Sequence, residues 1–361
     1  MDPMAQGLGI SVPLVGQLQT VFAVACGLGG PILARLLSGF DRKRLLITVL
    51  LTLAVMNAAS ACAPDFTAIA VLRIAGGLFA ALTLPLASTI AVNMVPEPRR
   101  PAAIATVLAG YTLAFLFGMP LCTLLGDTFG WRAAFWFAAA VSTLALAVVT
   151  LGAPAGVASP TQSGVSFKSA LAGDNARLML VTLIGFGATF ATVSYIGPVI
   201  TAFSGLQGAA IGAVQATTGI GSLLGLPAGA MLARVPVKRA LAGLLCVTAA
   251  TQALFSVGML IELGQFALPL LVTTMMFASA ALFATSPIIQ TQLAKSAGPS
   301  ATIAFALNGS MIYFGQGIGA SLGGSVSVAS SIGWIGAAGS LLAMAGLLVI
   351  LCIKDPETAL P

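Results

Sequence analysis

Long apolar runs, separated by short polar gaps, occupy nearly the whole chain. Each run is long enough to cross the ~30 Å hydrocarbon core of a bilayer as an α-helix. Membrane β-strands would instead be short segments in which apolar and polar residues alternate. We therefore predict eleven helical spans, at about 14–37, 45–63, 66–95, 102–125, 133–151, 178–203, 209–233, 240–261, 266–293, 301–326 and 332–352.

One long polar connection interrupts this pattern, at residues 153–177. Its proline, serine and glycine content is typical of a flexible linker. The linker separates five predicted spans from six. We therefore predict an N-terminal helical bundle (1–152), a cytoplasmic linker (153–177) and a C-terminal helical bundle (178–361).

The two halves share a weak internal repeat, which indicates duplicated parallel units. In this register the span 178–203 has no partner in the N-terminal half, while Gly9 matches Gly205. We therefore expect the opening residues to form an external loop that follows a first helix not present in the chain. The matching pairs are Gly16/Gly212, Gln19/Gln215, Gly29/Gly225 and Pro31/Pro227 at an offset of 196, and Gly110/Gly309 and Gly118/Gly317 at an offset of 199.

The composition indicates a membrane protein and argues against several classes of function. The 361 residues are 58% hydrophobic and 7% charged, with a mean hydropathy of +1.07, values that no soluble domain reaches. Histidine, the commonest metal ligand and general base, is absent. Phosphate-binding loops and nucleophile–base pairs are also missing, so we expect no enzyme, no metal, no cofactor and no nucleic-acid partner. The five cysteines lie in apolar runs and are interpreted as packing residues.

Basic residues lie almost entirely on one side of the predicted spans. Of the 15, only Arg132 lies in a gap on the other side, and Arg73 lies inside a span. Positive charge marks cytoplasmic loops, so we predict an external N-terminus and a cytoplasmic C-terminus. The cytoplasmic set is Arg35, Arg42, Lys43, Arg44, Arg99, Arg100, Lys168, Arg177, Arg234, Lys238, Arg239, Lys295 and Lys354.

Several motifs together resemble the major facilitator superfamily, and in particular its bacterial drug–proton antiporters and arabinose-efflux-like members. "DTFGWRAAFW" (127–136) resembles the turn before the sixth helix of that group, and "VLRIAGGLFAA" (71–81) its fourth-helix motif. "GYTLAFLFGMPLCTLLG" (110–126) resembles the antiporter motif of the fifth helix. "YIGPV" (195–199) and "FALNGSMIYFGQGIGASLGG" (305–324) resemble the seventh and eleventh helices.

The resemblance implies an all-α membrane protein with two bundles and about 11 of 12 helices, the first being absent. It implies a monomeric secondary transporter in a bacterial inner membrane, exporting small organic molecules in exchange for protons. It also assigns Gly110, Gly118 and Pro120 to the antiporter-motif helix, although Cys122 stands where glycine is usual. In the signature cytoplasmic loop, Ser38 and Gly39 replace the usual aspartate and arginine. Asp41, Arg42 and Lys43 are then the gating candidates, or simple topological anchors.

Arg73 is the strongest functional candidate, because an arginine inside a span costs at least ~2.5 kcal/mol unless it faces water or a partner. Asp65 or Asp127 could pair with it, or the arginine could snorkel to the outer surface. Polar residues within other spans could line a substrate path or tie helices together. The favoured members of this set are Tyr111, Tyr195, Gln215, Asn308, Tyr313 and Gln316.

Two functional classes remain open from the sequence. The first is a proton-coupled exporter that works by alternating access. The second is a truncated or degenerate relative without coupled transport, which would act as a non-transporting membrane protein. Every carboxylate lies outside the spans or at their ends, and we therefore expect weak coupling to protons in the 361-residue form.

Overall fold

The computed structural model describes residues 1–37, 39–154, 170–297 and 300–353. Within those ranges the regular structure is helical and no strand occurs. The α-helices are α1 (Asp2–Leu8), α2 (Val12–Leu36), α3 (Arg42–Cys62), α4 (Phe66–Ala80), α5 (Thr83–Asn93), α6 (Arg100–Leu113), α7 (Met119–Thr128), α8 (Arg132–Gly152), α9 (Asn175–Val193), α10 (Ile196–Ser204), α11 (Ala209–Leu232), α12 (Val237–Leu260), α13 (Ala267–Ser296), α14 (Ala301–Ala329) and α15 (Ile335–Leu351).

The helices account for every predicted span. Ten helical segments in the described ranges are long and apolar enough to cross a membrane. The remaining predicted span, 301–326, forms α14, whose 29 residues are also long enough. Glycine, serine, asparagine and glutamine lower its hydropathy. Most of the predicted linker, from 155 to 169, lies outside the described residues.

Three predicted spans are not single straight helices. The span 66–95 divides into α4 and α5 around Ala81 and Leu82, and 178–203 divides into α9 and α10 around Tyr195. Between α6 and α7 the helix continues as a five-residue π-helical segment, Ala114–Gly118. Hydrophobic periodicity cannot reveal such local changes of winding, because they preserve the apolar composition of the span.

The opening of the chain is helical, so the expectation of a loop there is wrong. Residues 2–8 form the short helix α1, in which Met4 and Ala5 are buried. They pack into a cluster with Trp131 and Ile69. An apolar contact of this kind stabilises a helical turn that sequence propensity alone does not predict.

The repeat register extends to this opening helix. Both α1 and α10 end at a left-handed glycine, Gly9 with φ 64° and Gly205 with φ 72°. These residues are 196 positions apart, the offset of the sequence match. Glycine adopts positive φ without the steric cost of a Cβ atom. The described residues contain no N-terminal counterpart of α9.

Helix pairs within the two halves repeat the same close contact. A Cβ atom on Gly29 of α2 would lie 2.7 Å from Leu78 Cα of α4. A Cβ atom on Gly225 of α11 would lie 2.9 Å from Ala280 Cα of α13. Small residues let helices in lipid approach until their backbones touch. The repeat glycines therefore set the packing of α2 on α4 and of α11 on α13.

The two halves meet along two helix pairs, α2 with α14 and α7 with α11. The α2–α14 contact is built on glycines. Gly27 accommodates the ring of Phe314, which a Cβ atom would approach to 2.7 Å, and Gly324 accommodates Gln17 at the same distance. Tyr111 of the N-terminal half contacts Phe283 of the C-terminal half across this junction.

Candidate functional site

Arg73 lies between two aromatic rings in the N-terminal half. Its guanidinium carbon is 5.2 Å from the ring centroid of Phe22 on α2 and 4.8 Å from that of Phe135 on α8. The thiols of Cys26 and Cys122 are close enough to interact with it electrostatically. Helices α2, α4, α7 and α8 therefore converge on this side chain.

Neither suggested acidic partner reaches Arg73. Asp65 accepts a hydrogen bond from the backbone N–H of Ala68 at 2.8 Å and caps α4. Asp127 lies beside Gly208 of the other half, whose Cβ position is 3.0 Å from a carboxylate oxygen. Within the described ranges Arg73 has no ion pair and no hydrogen-bond acceptor.

The two rings offset only part of the cost of placing Arg73 in the membrane. A cation–π contact contributes about 1 kcal/mol at ordinary exposure and about 2 kcal/mol when desolvated. Burial of the charge costs at least ~2.5 kcal/mol, and aromatic faces leave the planar N–H donors unbonded. The residue as a whole is partly buried.

Tyr111, Tyr313 and Gln316 lie near one another between α6 and α14. Tyr111 of α6 lies beside Gln316 of α14, and Tyr313 of α14 lies near Tyr111 as well. Tyr111 retains 37% of its surface.

An aromatic pocket continues from Tyr111 into the C-terminal half. The Tyr111 ring is 5.4 Å from Phe115 and 6.0 Å from Phe283, and those two rings meet edge to face at 5.4 Å. Phe115 and Phe283 line a small cavity of about 20 Å³, enough for about one water molecule. Its other walls are Thr189, Phe190, Val193, Ile196, Thr218, Phe255, Met275, Ala278, Ser279 and Leu282.

Three residues proposed for the substrate path are instead bonded within the protein. Tyr195 is 1% exposed, and its hydroxyl donates to the Ala320 carbonyl at 3.0 Å. The amide oxygen of Gln215 accepts from the Thr123 hydroxyl at 2.7 Å. These contacts tie helices together, so they leave little for a substrate to bind in this arrangement.

Asn308 has a similar role. Its amide oxygen accepts a hydrogen bond from the Thr182 hydroxyl at 2.7 Å, between α14 and α9. Only 3% of Asn308 is exposed. Of the six predicted path residues, the structure thus brings Tyr111, Tyr313 and Gln316 together and uses the other three in packing.

The predicted gating loop makes its resolved contacts within the N-terminal half. Asp41 accepts from the backbone N–H of Arg44 at 2.9 Å and caps α3. The Lys43 ammonium donates to the Ala153 carbonyl at 2.7 Å, where a cation also complements the C-terminal dipole of α8. Arg42 begins α3. These contacts favour the structural role for the loop.

The antiporter-motif helix touches the opposite half through its outer part. A Cβ atom on Gly212 would lie 3.1 Å from the Pro120 carbonyl oxygen. One on Gly219 would lie 2.6 Å from Leu116 N, within the π-helical segment, and closer still to its Cα. Gly118 ends that segment. Gly110 has open space around its Cβ position, so no close packing explains it.

Sequence reasoning missed the aromatic residues and thiols around Arg73. Phe22 and Cys26 are one helical turn apart on α2, so they share a face. That spacing is common in any apolar helix and carries no functional signal. The described residues also contain no group of histidine, cysteine or acidic side chains able to hold a metal ion.

Comparison with known proteins identifies transporters throughout. Inner membrane transport protein YdhP of Escherichia coli (strain K12) is 28% identical over 367 residues, covering 98% of this chain and 91% of that protein. The chloramphenicol resistance protein of Streptomyces lividans is 34% identical over 242 residues, covering 65% and 62%. None of these names describes an enzyme.

The fold is also found among solved structures. The crystal structure of a mutant of the nucleoside transporter NupG superposes with a TM-score of 0.74 at 17% sequence identity, covering 97% of this chain and 92% of that one. The sequence profile of the Major Facilitator Superfamily matches residues 1–302. The helical architecture, the internal repeat and this match agree: the chain belongs to the Major Facilitator Superfamily.

Proposed function

We propose that this chain exports small organic molecules across a bacterial inner membrane by alternating access, with protons as the coupling ion. The observation that carries the proposal is the junction of two repeated halves, where Tyr111 of one half contacts Phe283 of the other and the Arg73 guanidinium lies inside an apolar span. Transporters of this architecture place substrates at the repeat interface near the bilayer midplane.

Export, rather than uptake, is supported by the name of another similar protein, the purine ribonucleoside efflux pump NepI of Salmonella enteritidis PT4 (strain P125109), which is 26% identical over 244 residues. Proton coupling is supported by the motif resemblance of residues 110–126 to drug–proton antiporters. The orientation that fits the basic residues has an external N-terminus and a cytoplasmic C-terminus. We propose that one chain is the transporting unit, since both halves contribute to the same space.

The acidic residues that could bind a coupling proton lie at helix ends or beside loops. Asp41 and Asp65 cap helices, and Asp127 lies beside a loop glycine. No carboxylate lies in the middle of a span within the described residues. Coupling of the usual carboxylate kind therefore has no evident site in these ranges.

Reconstitution into liposomes tests transport and coupling separately. We measure outward flux with and without an imposed pH gradient. The test compounds are chloramphenicol and small aromatic compounds that are neutral, anionic or cationic. We expect flux that increases with the gradient and disappears when an ionophore collapses it. Flux that does not depend on the gradient would contradict proton coupling but not transport. Lack of flux for every compound would support the non-transporting alternative.

A further inference from the structure

We propose that the hydrogen bond between Thr123 of α7 and Gln215 of α11 holds the two halves together on the outer side of the membrane, and thereby sets the balance between the two access states. This inference rests on the proposed transport function and names two residues that control access. Three observations support it: the side on which the halves share apolar packing, the geometry of the bond, and the close contacts around it.

The apolar clusters shared by the two halves lie away from the basic ends of the helices. The cluster around Tyr195 of the C-terminal half also contains Val12 and Met119 of the N-terminal half. At the basic ends, the described clusters each contain residues of one half only, from 33 to 153 in the first and from 170 to 353 in the second. The basic ends are cytoplasmic in the proposed topology, so the shared packing closes the outer side.

The Thr123–Gln215 bond crosses between the halves near the outer end of α7. The Thr123 hydroxyl donates to the Gln215 amide oxygen at 2.7 Å, a usual length for this kind of bond. Gln215 is 4% exposed, so the closed halves leave little room for water to replace the hydroxyl. Once the halves separate, water can bond both side chains. The bond therefore favours the closed state by a factor of roughly two to ten.

Close packing makes this bond sensitive to the distance between the helices. Gln215 lies between Gly212 and Gly219 on one face of α11, since these residues are three and four positions apart. A Cβ atom on Gly212 would lie 3.1 Å from the Pro120 carbonyl oxygen, and one on Gly219 would lie 2.6 Å from Leu116 N. The halves thus touch through backbone atoms on either side of the bond. A separation of about 1 Å stretches the bond beyond the range in which it contributes.

The internal repeat offers no second bond of this kind. Gln215 corresponds to Gln19 of α2 at the offset of 196, and Thr123 corresponds to Leu322 of α14 at the offset of 199. A leucine side chain cannot donate a hydrogen bond, so the α2–α14 pair lacks the equivalent contact. A change at Thr123 or Gln215 therefore acts on one of the two helix pairs that join the halves.

The distance between the outer ends of the halves reports their closure. Phe129 follows α7, Gln207 precedes α11, and both are exposed. Between them a carboxylate oxygen of Asp127 lies 3.0 Å from the Cβ position of Gly208. We place spin labels on Phe129→Cys and Gln207→Cys in the full chain without native cysteines, in lipid nanodiscs and without substrate. Double electron–electron resonance then gives the distance distribution, in which we expect a short distance to dominate and a longer one to be minor.

Variants that remove single hydrogen bonds separate closure from stability. Thr123→Val keeps the shape of the side chain but leaves the Gln215 amide oxygen unpaired in the closed state, so the ratio of long to short distances should rise roughly tenfold. Thr123→Ser keeps a hydroxyl and should keep the parent ratio. Thr182→Val is the matched control, because the Thr182 hydroxyl also donates to an amide oxygen at 2.7 Å, that of Asn308 within the C-terminal half. It should lower thermal stability and leave the ratio unchanged.

Several results would overturn the inference. These are a parent protein in which the short distance does not dominate, an unchanged ratio in Thr123→Val, or an equal rise in Thr182→Val. If Thr123→Val does not fold, Gln215→Leu decides in its place, because it removes the acceptor and should also raise the ratio. A rise in Thr123→Val without flux of any compound in liposomes would support this bond and contradict the proposed transport function. Flux with an unchanged ratio would contradict the role of the bond alone.

Discussion

The contact between α11 and the π-helical segment can be perturbed with a single methyl group. In Gly219→Ala the new Cβ atom would lie 2.6 Å from Leu116 N, whereas ordinary Cβ contacts begin at 3.4 Å. The neighbouring atoms are backbone, so they cannot rotate away. The helices must separate by roughly 1 Å, which loses a quarter to a half of the dispersion energy at the contact.

Overpacking of this kind costs about 1–3 kcal/mol. The cost applies only to the conformation in which α7 packs against α11. A conformation with the opposite side of the transporter open, in which these helices separate, avoids it. A difference of ~2 kcal/mol changes the ratio of two conformations about 30-fold. We therefore expect Gly219→Ala to lower the population of the joined state and to open the contact to water.

Ser222→Cys in a background without native cysteines reports this opening. Ser222 lies one turn beyond Gly219 on α11 and is 0% exposed. Its reaction with a maleimide should be slow in the parent protein and faster in Gly219→Ala by an order of magnitude or more. Gly243→Ala on α12 is the matched control, since nothing lies within 4 Å of its Cβ position. Equal rates in both variants would refute the reasoning.

Three further predictions concern orientation, transport and packing. In intact cells a membrane-impermeant maleimide should label Phe129→Cys but not Val235→Cys, both of which are exposed in the structure; the reverse pattern would invert the proposed topology. Arg73→Ala should abolish export at normal protein levels while Arg132→Ala retains it, and export by the Arg73 variant would mean that the charge is dispensable. Tyr195→Phe should lower the midpoint of thermal unfolding by a few degrees because one buried hydrogen bond, worth about 1 kcal/mol, is lost. An unchanged midpoint would show that the hydroxyl contributes nothing.

The spans and the repeat could be predicted because the bilayer imposes one length and one polarity on every helix. The packing glycines Gly29 and Gly225 were also visible, since they recur at one offset. The helical state of residues 2–8 could not be predicted, because it depends on burial of Met4 and Ala5 beside Trp131. Contacts between distant segments have no local sequence signal.

The candidate functional residues also differ in how far the sequence alone could predict them. Arg73 stands out in sequence because a charge in an apolar span requires an explanation. The roles of Tyr111 and Tyr195 could not be separated, although Tyr111 retains 37% of its surface and Tyr195 only 1%. Both are tyrosines within apolar spans, and only the relative placement of α6, α9 and α14 distinguishes a cavity wall from a tie between helices.

In the proposed transport cycle, the Arg73 guanidinium, which has no acidic partner within the described residues, would make the carrier responsive to membrane potential. When access to this residue changes from the outer to the inner side, one positive charge moves through part of the electric field. A full crossing is worth about 2.3 kcal/mol per 100 mV, and an inside-negative potential favours inward access of the empty carrier. The potential would then bias the proposed cycle even without a titrating carboxylate in the described spans.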